Sequence, residues 1–85
     1  MYHLMLKEHK FVEGAHVQLC TFKSEWRVYA TYYVSIEENP EIGQSIIEYK
    51  SFQCETDARA CYSALTSYDA ISRFVSDVKH TLQNH

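Results

Sequence analysis

The amino-acid sequence predicts an α+β domain: an antiparallel meander of three strands, with room for a fourth, packed on one face by one or two C-terminal helices. Three observations carry this. Trp26, Val28, Ala30, Tyr32, Val34 and Ile36 occupy every even position of one segment, the period of a strand with one buried face. From Thr56 onward apolar residues recur every three or four positions, the period of an amphipathic helix. All strand-like segments precede the helical ones, without β-α alternation, which places neighbouring antiparallel strands under helices gathered on one side.

The chain has 85 residues, too few to build two hydrophobic cores, so residues 1–85 are expected to form one domain. With only two glycines, one proline and 14% aromatics, it has the composition of a folded protein rather than a disordered one.

The long strand is expected over Glu25 to Glu37. The segment before it, Glu13 to Phe22, carries Ala15, Val17, Leu19 and Thr21 on odd positions. A turn at Lys23-Ser24 folds it back so that Leu19 faces Val28, Val17 faces Ala30 and Thr21 faces Trp26. A slip of one residue would send one apolar set to the wrong side. The same register sets Gly14 opposite Tyr33, where an aromatic ring can cover a bare glycine backbone. Glu38-Asn39-Pro40-Glu41 reads as a turn. The third strand is expected from Gln44 to Cys54. In it Ile46, Phe52 and Cys54 suit one face and Ile47 and Tyr49 the other, a mismatch that a bulge near Lys50-Ser51 would reconcile. Tyr2, Leu4 and Leu6 alternate as a short N-terminal edge strand would.

In the C-terminal part, Thr56 reads as an N-cap followed by Asp57. The apolar stripe then runs through Ala58, Cys61, Tyr62, Leu65, Ile71, Phe74, Val75, Val78 and Leu82. Thr66-Ser67-Tyr68-Asp69 resembles a capping box, which favours a break between Leu65 and Asp69 with Thr66 as the cap. Tyr68 bridges the stripe at helical spacing, so a single helix is the alternative. The predicted core joins Leu19, Trp26, Val28, Ala30 and Val34 to Leu65, Ile71, Phe74 and Val78.

Several function classes are disfavoured. The net charge is −3 and the eight basic residues are scattered, whereas duplex binding gathers them on one face. Cys20, Cys54 and Cys61 are an odd number without framework spacing, which suits reduced thiols in the cytoplasm. Met1 to Lys10 is too short and too charged to be read as a signal peptide or a membrane span. None of the five histidines (His3, His9, His16, His80, His85) has another histidine or a cysteine at zinc-site spacing. His16 and Cys20 share a strand face but lie about 13 Å apart along it. No metal and no cofactor is therefore expected. Gly14 and Gly43 are isolated, so no phosphate loop or nucleophile elbow is present, and no enzymatic activity is expected.

What remains is the outward face of the sheet. Arg27, Tyr29 and Tyr33 point away from the expected helices, with Phe22, Cys20 and Tyr49 beside them. Tyrosine and arginine are enriched in binding hot spots, and a contiguous aromatic patch on a small domain marks association. Two plainer readings stand beside this: tyrosine is a favoured strand residue, and the N-terminal segment could fold back over the face. The expected role is a non-enzymatic interaction module whose partner is another protein or a second copy of the chain. Size, acidity and the strands-then-helices order are loosely similar to small phage-encoded inhibitors such as some anti-CRISPR proteins, a likeness that implies an inhibitor or regulator. The alternative is a single-stranded nucleic-acid binder that stacks bases on the sheet. It ranks behind, because the charge is negative and the β-α-β-β-α-β order is missing.

Overall fold

The computed structural model describes residues 3–36 and 39–83, and at 34–36, 39–42, 44 and 81–83 the backbone alone. Tyr2, Glu37, Glu38 and His85, and the side chains of Val34, Ile36 and Leu82, named above, lie outside what is described. The chain runs through β1 (Met5–Val12), β2 (Ala15–Phe22), β3 (Glu25–Ile36), β4 (Asn39–Phe52), α1 (Glu55–Ala64) and α2 (Tyr68–Gln83). The strands form one antiparallel sheet in the order β1-β2-β3-β4. The α+β meander is thus as the sequence predicts, and the fourth strand is the N-terminal one.

Turn chemistry sets the registers. Glu13 and Gly14 both have positive φ, +48° and +87°, the mirror-image turn whose twist suits a two-residue hairpin. It pairs Val12 with Ala15. Lys23, at φ +58°, opens the next two-residue loop, which pairs Phe22 with Glu25. The predicted pairs Leu19–Val28, Val17–Ala30 and Thr21–Trp26 all form.

Three local expectations about the strands are corrected. Tyr33 does not cover Gly14, which sits in the hairpin turn with open space at the Cβ position; its ring lies over Gly43 on β4, where a Cβ would collide with it. No bulge occurs at Lys50-Ser51, since the β3–β4 register is unbroken from Gln44 to Phe52. Instead Glu48 and Lys50 simply take the helix-side positions opposite Ala30 and Val28; the register shifts lie between Ser35 and Ile36 and between Leu6 and Glu8. Asn39 and Pro40 belong to β4 rather than to a turn, tolerated because β4 is an edge strand that can spare an N–H donor.

The helix caps are each one or two residues from their expected places. Cys54, not Thr56, caps α1: its backbone is extended and its Sγ accepts from the Asp57 N–H at 3.5 Å. The break between the helices is real, but Ser67, not Thr66, caps α2. Ser67 Oγ accepts from the Ala70 N–H at 3.2 Å, the spacing an N-cap requires, while Thr66 N–H closes a turn onto the Ala64 carbonyl. The β1–β2 hairpin fixes this break from below. Lys10 Nζ donates to the Tyr62 carbonyl at 2.9 Å, and Glu13 accepts from the Tyr68 N–H at 2.7 Å. A cation thus meets the end of α1 and a carboxylate the start of α2, as the helix dipoles favour.

The core lies between the sheet and the helices. Ala15, Val17, Leu19, Val28 and Ala30 meet Ala58, Tyr62, Leu65, Ile71, Phe74, Val75 and Val78, all buried, with Trp26, Tyr32, Phe52 and Cys61 partly buried around them. Each fully buried aliphatic side chain contributes about 1.5–3 kcal/mol. The opposite sheet face has no second layer among the described residues.

Candidate interaction face

Pairing across the four strands defines this face row by row. Leu6, Cys20, Arg27 and Ser51 form one row; His9, Gln18, Tyr29 and Tyr49 the next; Phe11, His16, Thr31 and Ile47 a third; Tyr33 and Ser45 continue it on β3 and β4. Side chains on alternate positions of paired strands stand on one side of the sheet, so the four predicted binding residues, Arg27, Tyr29, Tyr33 and Tyr49, share it.

They do not behave alike. Arg27, Tyr29 and Tyr49 form one ordered cluster. The Arg27 guanidinium lies 4.4 Å from the Phe22 ring centroid and 4.6 Å from that of Tyr49, a cation held between two π faces. It donates to Tyr29 Oη and to Glu25 Oε1, each at 3.0 Å. Tyr29 and Tyr49 stack with centroids 5.0 Å apart. The hydrogen bond to Tyr29, and then that to Glu25, hold the Arg27 pKa above its ordinary value. Glu25 is held below the usual carboxylate range, first by a hydrogen bond from Ser51 and then by Arg27. Arg27 Nε is buried and has no hydrogen-bond partner among the described residues, so the cluster does not satisfy every donor it encloses.

Cys20, flanked in register by Leu6 and Arg27, is only 2% exposed although no helix covers it. Burial pushes its thiol up, against the opposing effect of Arg27. Tyr33 stands apart from the cluster, over Gly43, and is 58% exposed. Around these residues Leu6, Phe11 and Ile47 are all more than half exposed. Alternation sets Ile47 on the side of Tyr49 but does not by itself assign Leu6 and Phe11 to this face. Glu13-Gly14 was the available signal, because a two-residue turn there fixes which β1 residues share the face.

A half-open groove of about 690 Å³ runs between β4 and the helices, lined by Ile47, Lys50, Cys61, Leu65, Phe74 and Val78 among others. Burial raises the Cys61 thiol, with Lys50 acting the other way, so little thiolate is available there as a nucleophile near neutral pH. Among the described residues no group of three or more histidine, cysteine or carboxylate side chains converges on one point, and no helix is long and apolar enough to cross a membrane. Comparison with protein-family models, with curated proteins and with solved structures gives no match. The class reached here is that of a small α+β domain with one uncovered, aromatic-rich sheet face.

Proposed function

We propose that this chain is a non-enzymatic protein-interaction module that associates through its uncovered sheet face, and that the occupant of that face is a second copy of the chain. The observation that carries this is the exposure of Leu6, Phe11, Tyr33, Ile47 and Tyr49, between 43% and 73%, on the one face the helices leave bare. Exposed apolar side chains gathered on one face mark association surfaces.

Area and charge favour a copy of the same chain. Eight-residue strands about 4.8 Å apart make a face of about 26 by 19 Å, or roughly 1,000 Å² for a facing pair before surface relief is counted, the lower bound for a specific interface. Facing sheets are a standard packing, with aromatic and aliphatic side chains interdigitating between them. A face of one charge sign would repel its own copy, but here the Arg27 charge is matched by Glu25 at 3.0 Å. The nucleic-acid alternative draws less support, because Tyr29 and Tyr49 already stack on each other and Arg27 is already paired.

Sedimentation equilibrium over a wide concentration range tests the proposal. The wild type is expected to dimerise, and Ile47→Lys, which places a charge within the apolar contact, to remain monomeric with an unchanged circular dichroism spectrum. A dimer that survives Ile47→Lys would sink the assignment of the face. A chain that stays monomeric throughout yet binds another protein in an Ile47-dependent way would keep the face and change its occupant. Affinity for single-stranded RNA that collapses with added salt would favour the alternative instead.

A further inference from the structure

We propose that His9 and His16 form a two-histidine clamp for a divalent late transition-metal ion at the β1 edge of the sheet. The two residues are seven apart in sequence and carry no metal-site spacing; the Glu13-Gly14 turn brings them together. It pairs Phe11 with His16 and His9 with Gln18, so that His9 and His16 become diagonal neighbours on one face. His9 Nδ1 and His16 Nε2 then stand 3.2 Å apart, on the exposed side of the strand pair.

That distance is what two imidazole nitrogens of one metal shell adopt. With metal–nitrogen bonds of about 2.0–2.1 Å, a separation of this size subtends roughly 100° at the ion, between the octahedral and tetrahedral angles. The rings are held in place before any ion arrives. Phe11 stacks on His16 with centroids 4.4 Å apart and planes 12° from parallel, and the His9 ring meets both edge-on. Fixing ligand rings in this way lowers the ordering cost of binding.

The proton balance is simple. Between neutral rings, one nitrogen of the pair donates a hydrogen to the other. An ion needs a lone pair from each, so the donor ring shifts its proton, through water, to its remote nitrogen. Both rings stay neutral, no electron changes hands, and water fills the remaining coordination positions. Imidazole pairs of this kind suit Zn²⁺, Ni²⁺ or Cu²⁺ rather than Mg²⁺ or Ca²⁺, which prefer oxygen.

The test uses Ni²⁺ alone, titrated into the full chain carrying Cys54→Ser to remove the exposed thiol. Histidine ring NMR signals and isothermal calorimetry are followed together. The expected result is one ion per chain, with paramagnetic broadening that reaches His9 and His16 first and equally. His9→Ala and His16→Ala should each weaken binding by about tenfold or more, and the double variant no further than either single one, since a chelate is lost at the first step. Equal broadening of His3 and His80, or wild-type affinity in either single variant, would overturn the clamp. The titration is run at a dilution where the chain is monomeric, because a second copy seated on this face would cover Phe11 and His16.

Discussion

Val28 and Tyr29 are neighbours in sequence and point to opposite sides of β3, and they are held by different physics. Val28 is fully buried in the core cluster built by two strands and two helices. Its contribution comes from area removed from water and is non-directional. Tyr29 is half-buried with no layer above it. It is ordered by a stacked ring at 5.0 Å and a hydrogen bond at 3.0 Å. The bare face therefore has two parts. Around Arg27 it is ordered by its own residues, with Arg27 Nε the one buried donor left unpaired among the described residues, whereas Leu6, Phe11, Tyr33 and Ile47 remain exposed. A face can thus be locally well ordered and still leave apolar area for a partner.

The largest expected effect breaks or upholds this division directly. Leu19→Ala empties a fully buried site and should cost about 2–5 kcal/mol. That is a large share of the roughly 4–13 kcal/mol that a domain of this length holds. Ile47→Ala, on the bare face, should change the stability of the monomer by no more than about 0.5 kcal/mol. Urea denaturation at a dilution where the chain is monomeric compares the two. If Ile47→Ala costs as much as Leu19→Ala, the bare face is a structural surface and the interaction reading fails.

The two faces also differ in how far they could be read from sequence. The buried face was legible because strand parity and helical period are both set by the same core. Leu19, Val28, Ala30, Leu65, Ile71, Phe74 and Val78 are buried as that logic requires, with Trp26 partly buried beside them. What escaped was decided by backbone details that periodicity does not carry. Ser67 and Thr66 are both capping residues by type, with serine somewhat the better, and the geometry of the last turn of α1 selects Ser67. Cys54 is a weak acceptor, yet it reaches the Asp57 N–H before Thr56 can act. On the bare face Arg27, Tyr29 and Tyr33 stand on the side that alternation assigns them, and Tyr49 joins them through the β3–β4 register. Their division into a clustered group and an isolated Tyr33 depends on which strand lies beside which ring, and alternation is silent on that. His9 and His16 escaped for the same reason: their meeting is a property of the hairpin register, not of spacing.

A smaller effect sharpens the contrast within the bare face itself. Tyr29→Phe keeps the ring stack but removes the oxygen that accepts from Arg27. It should lower stability by about 0.5–1.5 kcal/mol. Tyr33→Phe should leave stability unchanged, since its hydroxyl has no hydrogen-bond partner among the described residues. Both can be read from the shift of the urea midpoint. Equal losses in the two variants would mean that the Arg27 cluster is no more self-satisfied than the rest of the face.

The smallest expected effect concerns acid. Glu25 has its folded pKa below its ordinary value of 4.5, held there first by the Ser51 hydrogen bond and then by Arg27. In the folded chain it therefore binds its proton less readily than in the unfolded chain. The sign follows: its contribution to stability is fully present above the unfolded pKa and is lost as pH falls through the folded one. Glu25 and Arg27 are both partly exposed, at 27% and 17% of their side-chain area, so solvent screens the pair and the contribution is modest. The urea midpoints of wild type and Glu25→Gln should differ at pH 7 and converge as the pH is lowered into the acid range. Added salt at pH 7 should narrow the gap in the same direction. The core face carries no buried charged residue among those described, so a Leu19→Ala control should show a deficit nearly independent of pH over the same interval. If the Glu25→Gln deficit is instead constant down to the lowest pH at which the chain folds, the carboxylate acts through shape and hydrogen-bond geometry rather than charge. The ion pair would then add nothing through charge to the stability of the bare face, and its part there would be to hold the Arg27 guanidinium in place.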